Sequence, residues 1–115
     1  MKENLIQQKS FEFALKSIDL YKHLLSRNEF ILSKQFFRSA TSIGANVIEA
    51  SAGISKKEFV AKMSIASKEA RECYYWLELI EASNFSEIRI SELKEESQRL
   101  IRILTAIVKT CQTNF

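Results

Sequence analysis

The sequence of 115 residues contains no proline and only two glycines. A chain of this length with average composition would hold about six prolines and eight glycines. Turn-rich β-sandwiches and β-barrels depend on these residues for their tight turns, so the composition argues against both, and against collagen-like or proline-rich chains. The 46% hydrophobic content is also too high for a disordered chain. We therefore expect a helical protein with few, short connections.

Metal-binding and redox residues are equally scarce, with cysteine only at Cys73 and Cys111 and histidine only at His23. The absence of a C-x-x-C motif argues against a disulfide scaffold and a cysteine-based zinc site, and favours two buried thiols in a reducing compartment. A di-iron carboxylate site needs two Glu-x-x-His motifs, which one histidine cannot supply. A zinc site of His23 and both cysteines would need three helices to converge. We expect no metal and no other cofactor.

The sequence also lacks a long apolar run and an N-terminal secretion signal. We expect a cytoplasmic protein that does not associate with membranes. The net charge of +3 is unevenly distributed, because residues 1–57 hold 9 basic and 5 acidic residues whereas residues 58–115 hold 8 and 9. This asymmetry permits an anionic partner but is weaker than a basic tail or an arginine-rich stripe.

Four segments carry apolar residues at alternating steps of three and four, which places them on one face of a helix. We predict helices over residues 4–26, 30–52, 56–82 and 88–112. The expected core residues are Phe11, Ala14, Ile18, Tyr21 and Leu25 in the first helix; Phe36, Ala40, Ile43, Val47 and Ala50 in the second; Phe59, Met63, Ala66, Ala70, Cys73, Leu77 and Ile80 in the third; and Ile90, Leu93, Ser97, Leu100, Leu104, Ile107 and Cys111 in the fourth. Four amphipathic helices with short loops predict one domain, residues 1–115, with an all-α, antiparallel up-down four-helix bundle.

The boundary between the second and third helices has the strongest local signals. Gly53 suits the left-handed position that closes a helix. Ser55 and Glu58 have the spacing of a capping box, and Ile54 and Phe59 that of a hydrophobic staple. We therefore expect the third helix to begin directly after Ser55.

Small side chains cover much of the second predicted helix. They are Ser39, Ala40, Thr41, Ser42, Gly44, Ala45, Ser51 and Ala52. Gly44 within a helix costs about 1 kcal/mol relative to alanine. Because small side chains let another helix approach closely, we expect tight packing inside the bundle rather than a ligand site.

No set of residues indicates an active site. Asp19 and His23 are one helical turn apart, the spacing of a carboxylate that orients an imidazole. Lys16 and Lys22 lie beside them, however, so an exposed ion pair on the helix is the favoured interpretation. Nucleotide-binding loops need glycines that the segment around Gly44 does not supply. We expect a protein that is not an enzyme and has no small-molecule substrate.

Three consecutive aromatic residues, Tyr74, Tyr75 and Trp76, stand in the third predicted helix. At about 100° per residue they cannot all enter one core. Either Tyr75 is exposed to solvent with its neighbours partly exposed, or a second surface covers this part of the helix, as apolar patches commonly are covered. These three residues are the candidate oligomer interface.

Polar residues also recur at helical spacing beside the expected core. They are Arg38, Asn46 and Glu49 in the second helix and Glu69 and Glu72 in the third. Such groups usually stay solvated. Alternatively, they form a polar network that pairs across helices or subunits and fixes their register.

These segments resemble the bacterial 23S rRNA intervening-sequence protein family. The matching stretches are Gln35–Ala50, Ser55–Phe59, Ser64–Glu72 and Tyr75–Leu77. They combine an arginine followed by small residues, an asparagine and a glutamate near the end of the second helix, and a Lys-x-Phe opening of the third. The similarity extends over about two thirds of the chain. The family commonly has proline, arginine and glycine where this sequence has Gly44, Ser39 and Ala50.

The resemblance implies an up-down four-helix bundle that assembles into a homopentamer and has no established enzymatic activity. One branch of the family serves as the accessory protein of diversity-generating retroelements, in which a basic pentamer engages nucleic acid and the reverse transcriptase.

Two functional hypotheses follow. The first is a non-catalytic, homopentameric scaffold whose partner is itself. The alternative is an accessory protein that binds RNA or DNA through basic surface residues of the oligomer. Its candidate phosphate contacts are Lys34, Arg38, Lys56 and Lys57, joined by Lys9 and Lys16 on the first helix. No base-stacking or base-reading device accompanies them, so such binding would depend on phosphates and salt.

Overall fold

The computed structural model describes residues 2–83 and 90–113, and these residues contain four helices. They are α1 (Lys2–Ser26), α2 (Leu32–Ser51), α3 (Lys56–Ala82) and α4 (Ser91–Thr113). The predicted start of the fourth helix, near residue 88, lies outside the described residues. The molecule is a rod with principal dimensions of 47 × 20 × 20 Å.

Contacts between neighbouring helices establish their directions. Arg38, early in α2, binds Glu72 in the second half of α3, whereas Glu49, late in α2, binds Lys62 near the start of α3. The same order holds for the pairs Gln7–Ser51 and Tyr21–Phe37 between α1 and α2, and for Glu81–Lys94 and Arg71–Thr105 between α3 and α4. The all-α, antiparallel four-helix bundle predicted from periodicity is confirmed.

The four helices occupy the corners of a square. Each packs against its neighbours in the order α1, α2, α3, α4 and back to α1, and the diagonal pairs are not in contact among the described residues. The side formed by α1 and α2 therefore lies opposite the side formed by α3 and α4. The two sides are chemically different, as described below.

The predicted core residues of α2 and α3 are buried, apart from Phe59, which is half-buried. Those of the fourth helix are also buried, except for half-buried Cys111. The predicted stripe of α1 is wrong, because Phe11 is 65% exposed and Ala14, Ile18, Tyr21 and Leu25 are only half-buried. The buried side chains of α1 are instead Ile6, Ser10, Phe13, Ser17, Leu20 and Leu24.

Two serines explain why the core face of α1 was missed. Ser10 and Ser17 interrupt its apolar pattern, yet both are buried. Each hydroxyl donates a hydrogen bond to a carbonyl of its own helix, and that from Ser17 to Phe13 measures 2.8 Å. A buried hydroxyl that is satisfied in this way costs little.

The small size of Ser10 also allows α1 to approach α2 closely. A Cβ atom added to Gly44 would lie 3.4 Å from the Ser10 hydroxyl oxygen. Buried Ser39 and Ala40 continue the small surface of α2. The close packing expected from the composition of this helix is thus present, and part of it is directed at α1.

Helix α1 ends through a left-handed residue. Asn28 has φ 62°, the only positive φ among the described non-glycine residues. The amide of Asn28 donates to the carbonyl of Leu25 at 3.0 Å, and that of Glu29 donates to Leu24 at 2.9 Å. These two bonds form a Schellman motif with asparagine in the place that glycine usually takes.

The connection between α2 and α3 differs in part from the prediction. Ser55 caps α3 by accepting from the amide of Glu58 at 3.1 Å, but the Glu58 carboxylate accepts from the amide of Ile54 rather than that of Ser55. Ile54 is 94% exposed, so the staple with Phe59 is absent. Gly53 does not have a positive φ. The left-handed residue is unnecessary because the amides of residues 52 and 53 bond back to the last carbonyls of α2.

Glu29 caps α2 from outside the helix. Its carboxylate accepts hydrogen bonds from the amides of Ile31, Leu32 and Ser33, groups that have no partner within the helix. Burial by itself would raise the pKa of Glu29, but the three amide bonds outweigh it and lower this pKa below its ordinary value of 4.5. The carboxylate therefore stabilises the turn from α1 to α2 in its charged form.

Glu29→Gln should lower the free energy of unfolding by about 1 kcal/mol at neutral pH, measured by urea titration, because it removes the charge from a helix cap. The pKa of Glu29 is lower in the folded than in the unfolded chain. The extra stability of the wild type over Glu29→Gln is therefore complete above pH 4.5 and is lost as the pH falls through the folded-state pKa of Glu29. Glu95→Gln, at an exposed position of α4, is the control and should change stability by less than about 0.5 kcal/mol. Equal stability of wild type and Glu29→Gln at every pH would contradict the cap.

Candidate functional site

A cluster of charged residues joins the first half of α2 to the second half of α3. The Arg38 guanidinium donates to both carboxylate oxygens of Glu72 at 2.9 Å and to Glu69 at 3.2 and 3.4 Å. The Arg38 side chain is half-exposed, whereas Glu69 is only 6% exposed. One guanidinium thus holds two carboxylates, and one of the three groups is buried.

The two carboxylates differ in their proton affinity. Burial, and then the hydrogen bond with Glu72, raise the pKa of Glu69. Burial acts in the same direction on Glu72, but the hydrogen bonds from Arg38 and Glu69 outweigh it and lower the pKa of Glu72. The stronger bond of Arg38 to Glu72 is also the main reason why the pKa of Arg38 is raised. The cluster is therefore a tight Arg38–Glu72 pair that also satisfies a buried neighbour.

Two residues of the predicted polar network lie elsewhere. The Asn46 amide donates to the carbonyl of Ser42 in its own helix at 2.8 Å. Glu49 pairs with Lys62 at 2.7 Å on the exposed surface between α2 and α3. The structure thus brings together Arg38, Glu69 and Glu72 but leaves out Asn46 and Glu49. The contacts lie between helices of one chain, and a role in register between chains stays a prediction.

The three consecutive aromatic residues diverge around α3, as their spacing requires. Tyr75 is 53% exposed and packs edge-on against Trp76, with ring centroids 5.3 Å apart. Trp76 is half-buried against the core. Tyr74 turns toward α4, where its hydroxyl accepts from Gln98 at 3.2 Å and its ring lies under the Lys94 ammonium. Tyr75 is the member of this group that offers free surface.

The candidate phosphate contacts are not gathered at one place. Lys34 lies in the first turn of α2 and Lys56 and Lys57 lie in the first turn of α3, so they stand near opposite ends of a rod 47 Å long. Arg38 is already bound to two carboxylates. On helix α1, Lys16 binds Glu92 and Glu96 of α4, and Lys9 lies 3.9 Å from Glu12.

An exposed apolar surface lies on α1 and α2. Its large residues are Phe11 and Leu15 of α1 and Ile48 of α2, all of them exposed. We call this set, with the small residues between them, the α1–α2 apolar surface. Sequence analysis missed it because Phe11 was assigned to the core. The available signal was the number of apolar positions in α1, which exceeds what one helix face can hold.

The small residues make this surface concave. A groove of about 450 Å³ runs between the two helices, with Ala14, Gly44 and Ala45 in its lining and Phe11 and Ile48 beside them. A second depression of about 600 Å³ is also lined by Phe11 and Ile48, and continues to Leu15; its rim carries the polar side chains of Gln7, Gln8 and Glu12. The projecting side chains of Phe11 and Ile48 therefore border both depressions and join them into one surface.

The residues considered for redox, metal and acid–base chemistry are Cys73, Asp19 and His23. Burial raises the pKa of the Cys73 thiol to about 12, so it stays protonated and poorly nucleophilic. Within residues 2–83 and 90–113, no group of three or more His, Cys, Asp or Glu residues is arranged to hold a metal ion. Asp19 and His23 share no ion pair there either, and the buried Nε2 atom of His23 has no hydrogen-bond partner. No described helix has the length and apolarity required to cross a membrane.

Comparison with known proteins places this bundle in a family. Residues 2–106 match the family described as 23S rRNA-intervening sequence protein. The chain belongs to this family. The resemblance inferred from Gln35–Ala50 and the stretches after it is thereby confirmed, and it covers more of the chain than those motifs do.

A solved structure has the same fold. It is a protein of unknown function from the S23 ribosomal protein family of Bacteroides thetaiotaomicron, with a TM-score of 0.90 and 40% sequence identity. The alignment covers 95% of this chain and 99% of that one. No curated protein matches the sequence. The comparisons therefore show the family and the fold, and the relative's own function is unknown.

Arg38→Met should destabilise the bundle by about 1–3 kcal/mol in urea titrations, because it leaves buried Glu69 without its counter-ion. Lys62→Met is the matched control, since it breaks the Lys62–Glu49 ion pair between the same two helices at an exposed position and should cost less than about 1 kcal/mol. Arg38→Met combined with Glu69→Gln should recover part of the loss. Equal effects of Arg38→Met and Lys62→Met would show that the cluster contributes no more than a surface pair.

Proposed function

We propose that this protein is a non-catalytic scaffold that assembles with copies of itself through the α1–α2 apolar surface. The observation that carries the proposal is the exposure of Phe11, Leu15 and Ile48, at 65%, 51% and 57%, on one continuous surface. Exposed apolar patches of this kind mark association sites. Covering each of these half-exposed side chains would contribute on the order of 1 kcal/mol.

The shape of the surface favours a second copy as the occupant. It supplies both the projecting side chains of Phe11 and Ile48 and a recess lined by Ala14, Gly44 and Ala45. Small residues in a helix surface allow another helix to come close. The same chain therefore contains the two complementary halves of an interface.

The number of copies depends on whether a second patch takes part. A two-fold dimer uses the same patch on both chains, whereas a closed ring needs two different patches on each chain. Tyr75, exposed on α3, supplies such a second patch. Together with the α1–α2 apolar surface it would allow a closed ring, such as the homopentamer that the family resemblance implies.

Ile48→Asp should dissociate the assembly, because association would then bury a carboxylate in an apolar interface. Light scattering at micromolar concentration should change from a multimer, about 67 kDa for five chains of 13.3 kDa, to the single chain. Ile54→Asp is the matched control, since Ile54 is 94% exposed in the connection between α2 and α3 and outside the surface. A wild-type monomer, or equal masses for the two variants, would overturn the proposal.

Tyr75→Asp distinguishes a ring from a two-fold dimer. In a ring that uses both patches this variant should also release single chains, because each chain contributes one patch to each neighbour. In a two-fold dimer through α1 and α2, sedimentation should show the same mass as the wild type. The first result supports the aromatic residues of α3 as an interface, and the second limits the interface to the α1–α2 apolar surface.

A further inference from the structure

The opposite side of the bundle, between α3 and α4, contains a groove of different character. It measures about 470 Å³ and lies between the first half of α3 and the second half of α4. Its polar lining residues are Ser64, Ser67, Arg71, Thr105, Lys109 and Gln112. Two of them are cations and none is a carboxylate, so the groove has an uncompensated positive charge at neutral pH.

Arg71 differs from the other cations that bridge two helices. Arg38, Lys16, Lys62 and Lys94 each bind a glutamate of the neighbouring helix. The Arg71 guanidinium instead donates to the neutral hydroxyl of Thr105 at 3.0 Å. The bond holds Arg71 at the groove without neutralising it, and leaves its remaining N–H groups available.

Further positive charge lies next to the groove. Lys109 lines it and has no ion pair with any described residue. Lys68 precedes Arg71 by one helical turn and Arg102 precedes Thr105 by one turn, and both side chains are exposed. A ligand longer than one anionic group would therefore meet cations beyond the two in the lining.

From this arrangement we infer that the groove between α3 and α4 binds phosphate groups, with Arg71 and Lys109 as the charged contacts. A guanidinium presents paired N–H donors that match phosphate oxygens, and a lysine adds a compact charge. The hydroxyls of Ser64 and Ser67 and the Gln112 amide supply further donors. The volume exceeds one phosphate and suits a pyrophosphate group or a short stretch of nucleic-acid backbone.

Calorimetric titration of the full chain with pyrophosphate and with single-stranded oligothymidylate at low salt tests this inference. Arg71→Gln and Lys109→Gln should each weaken binding by about tenfold or more. Lys34→Gln is the matched control: it removes the same charge at the other end of the rod and should leave affinity nearly unchanged. Thr105→Val removes the neutral acceptor of Arg71 but no charge, and should retain most of the binding.

The two probes separate the sources of the phosphate. Pyrophosphate binding identifies a free phosphate ligand, whereas binding of oligothymidylate alone identifies a polymer backbone. Either result supports the site if Arg71→Gln and Lys109→Gln weaken the binding. With the oligonucleotide, Lys109→Gln should also reduce the steepness of log K against log salt by about 0.7. No binding of either probe, or an equal loss with Lys34→Gln, would overturn the inference. Ile48→Asp should keep pyrophosphate binding, because the groove lies within one chain, so failure of the assembly proposal would leave this one intact.

Discussion

Helix α1 carries more apolar side chains than a four-helix core can bury. One face, with Ile6, Phe13, Leu20 and Leu24, packs into the bundle, and Ser10 and Ser17 complete it. Phe11 and Leu15 then remain outside, because residues four apart share a helix face that is rotated away from the core. This surplus of apolar surface is the constraint on which the account of function depends, since exposed patches of this extent call for a partner.

The remaining helices determine what that partner meets. Gly44 and Ala45 keep α2 narrow where it lies beside α1, so the exposed side chains stand next to a recess. On the other side of α2, Arg38 joins this helix to α3 by binding Glu72 and the buried carboxylate of Glu69. Arg38 and Glu49 on that side of α2 are paired within the chain. The apolar side of α1 and α2 and the cationic groove of α3 and α4 are therefore two separate surfaces. Assembly through the first leaves the cations of the second available.

Periodicity predicted the fold class, and the core faces of α2, α3 and α4, because in those helices one apolar stripe dominates. The prediction failed on α1, where two sets of residues have the same helical spacing and the buried set contains serines. A hydrophobicity scale that counts serine as polar selects the other set. The hydrogen bond of each serine to the preceding turn cannot be read from the sequence. The grouping of Arg38 with Glu69 and Glu72 followed from helical spacing. Spacing did not show that Asn46 bonds within its own helix and that Glu49 pairs with Lys62, because those contacts depend on which neighbour each side chain reaches. The α3–α4 groove was missed because Arg71 and Lys109 come from distant parts of the chain.

The most direct test of the central claim is photocross-linking from position 11, with Phe11 replaced by benzoylphenylalanine and the same replacement at Ile54 for comparison. If a second copy covers the α1–α2 apolar surface, irradiation of the purified protein with the probe at position 11 gives a covalent two-chain product. The cross-link then maps to another chain, and the probe at position 54 gives far less of the two-chain product. Products of a single chain only, or equal two-chain yields from both positions, would contradict the account.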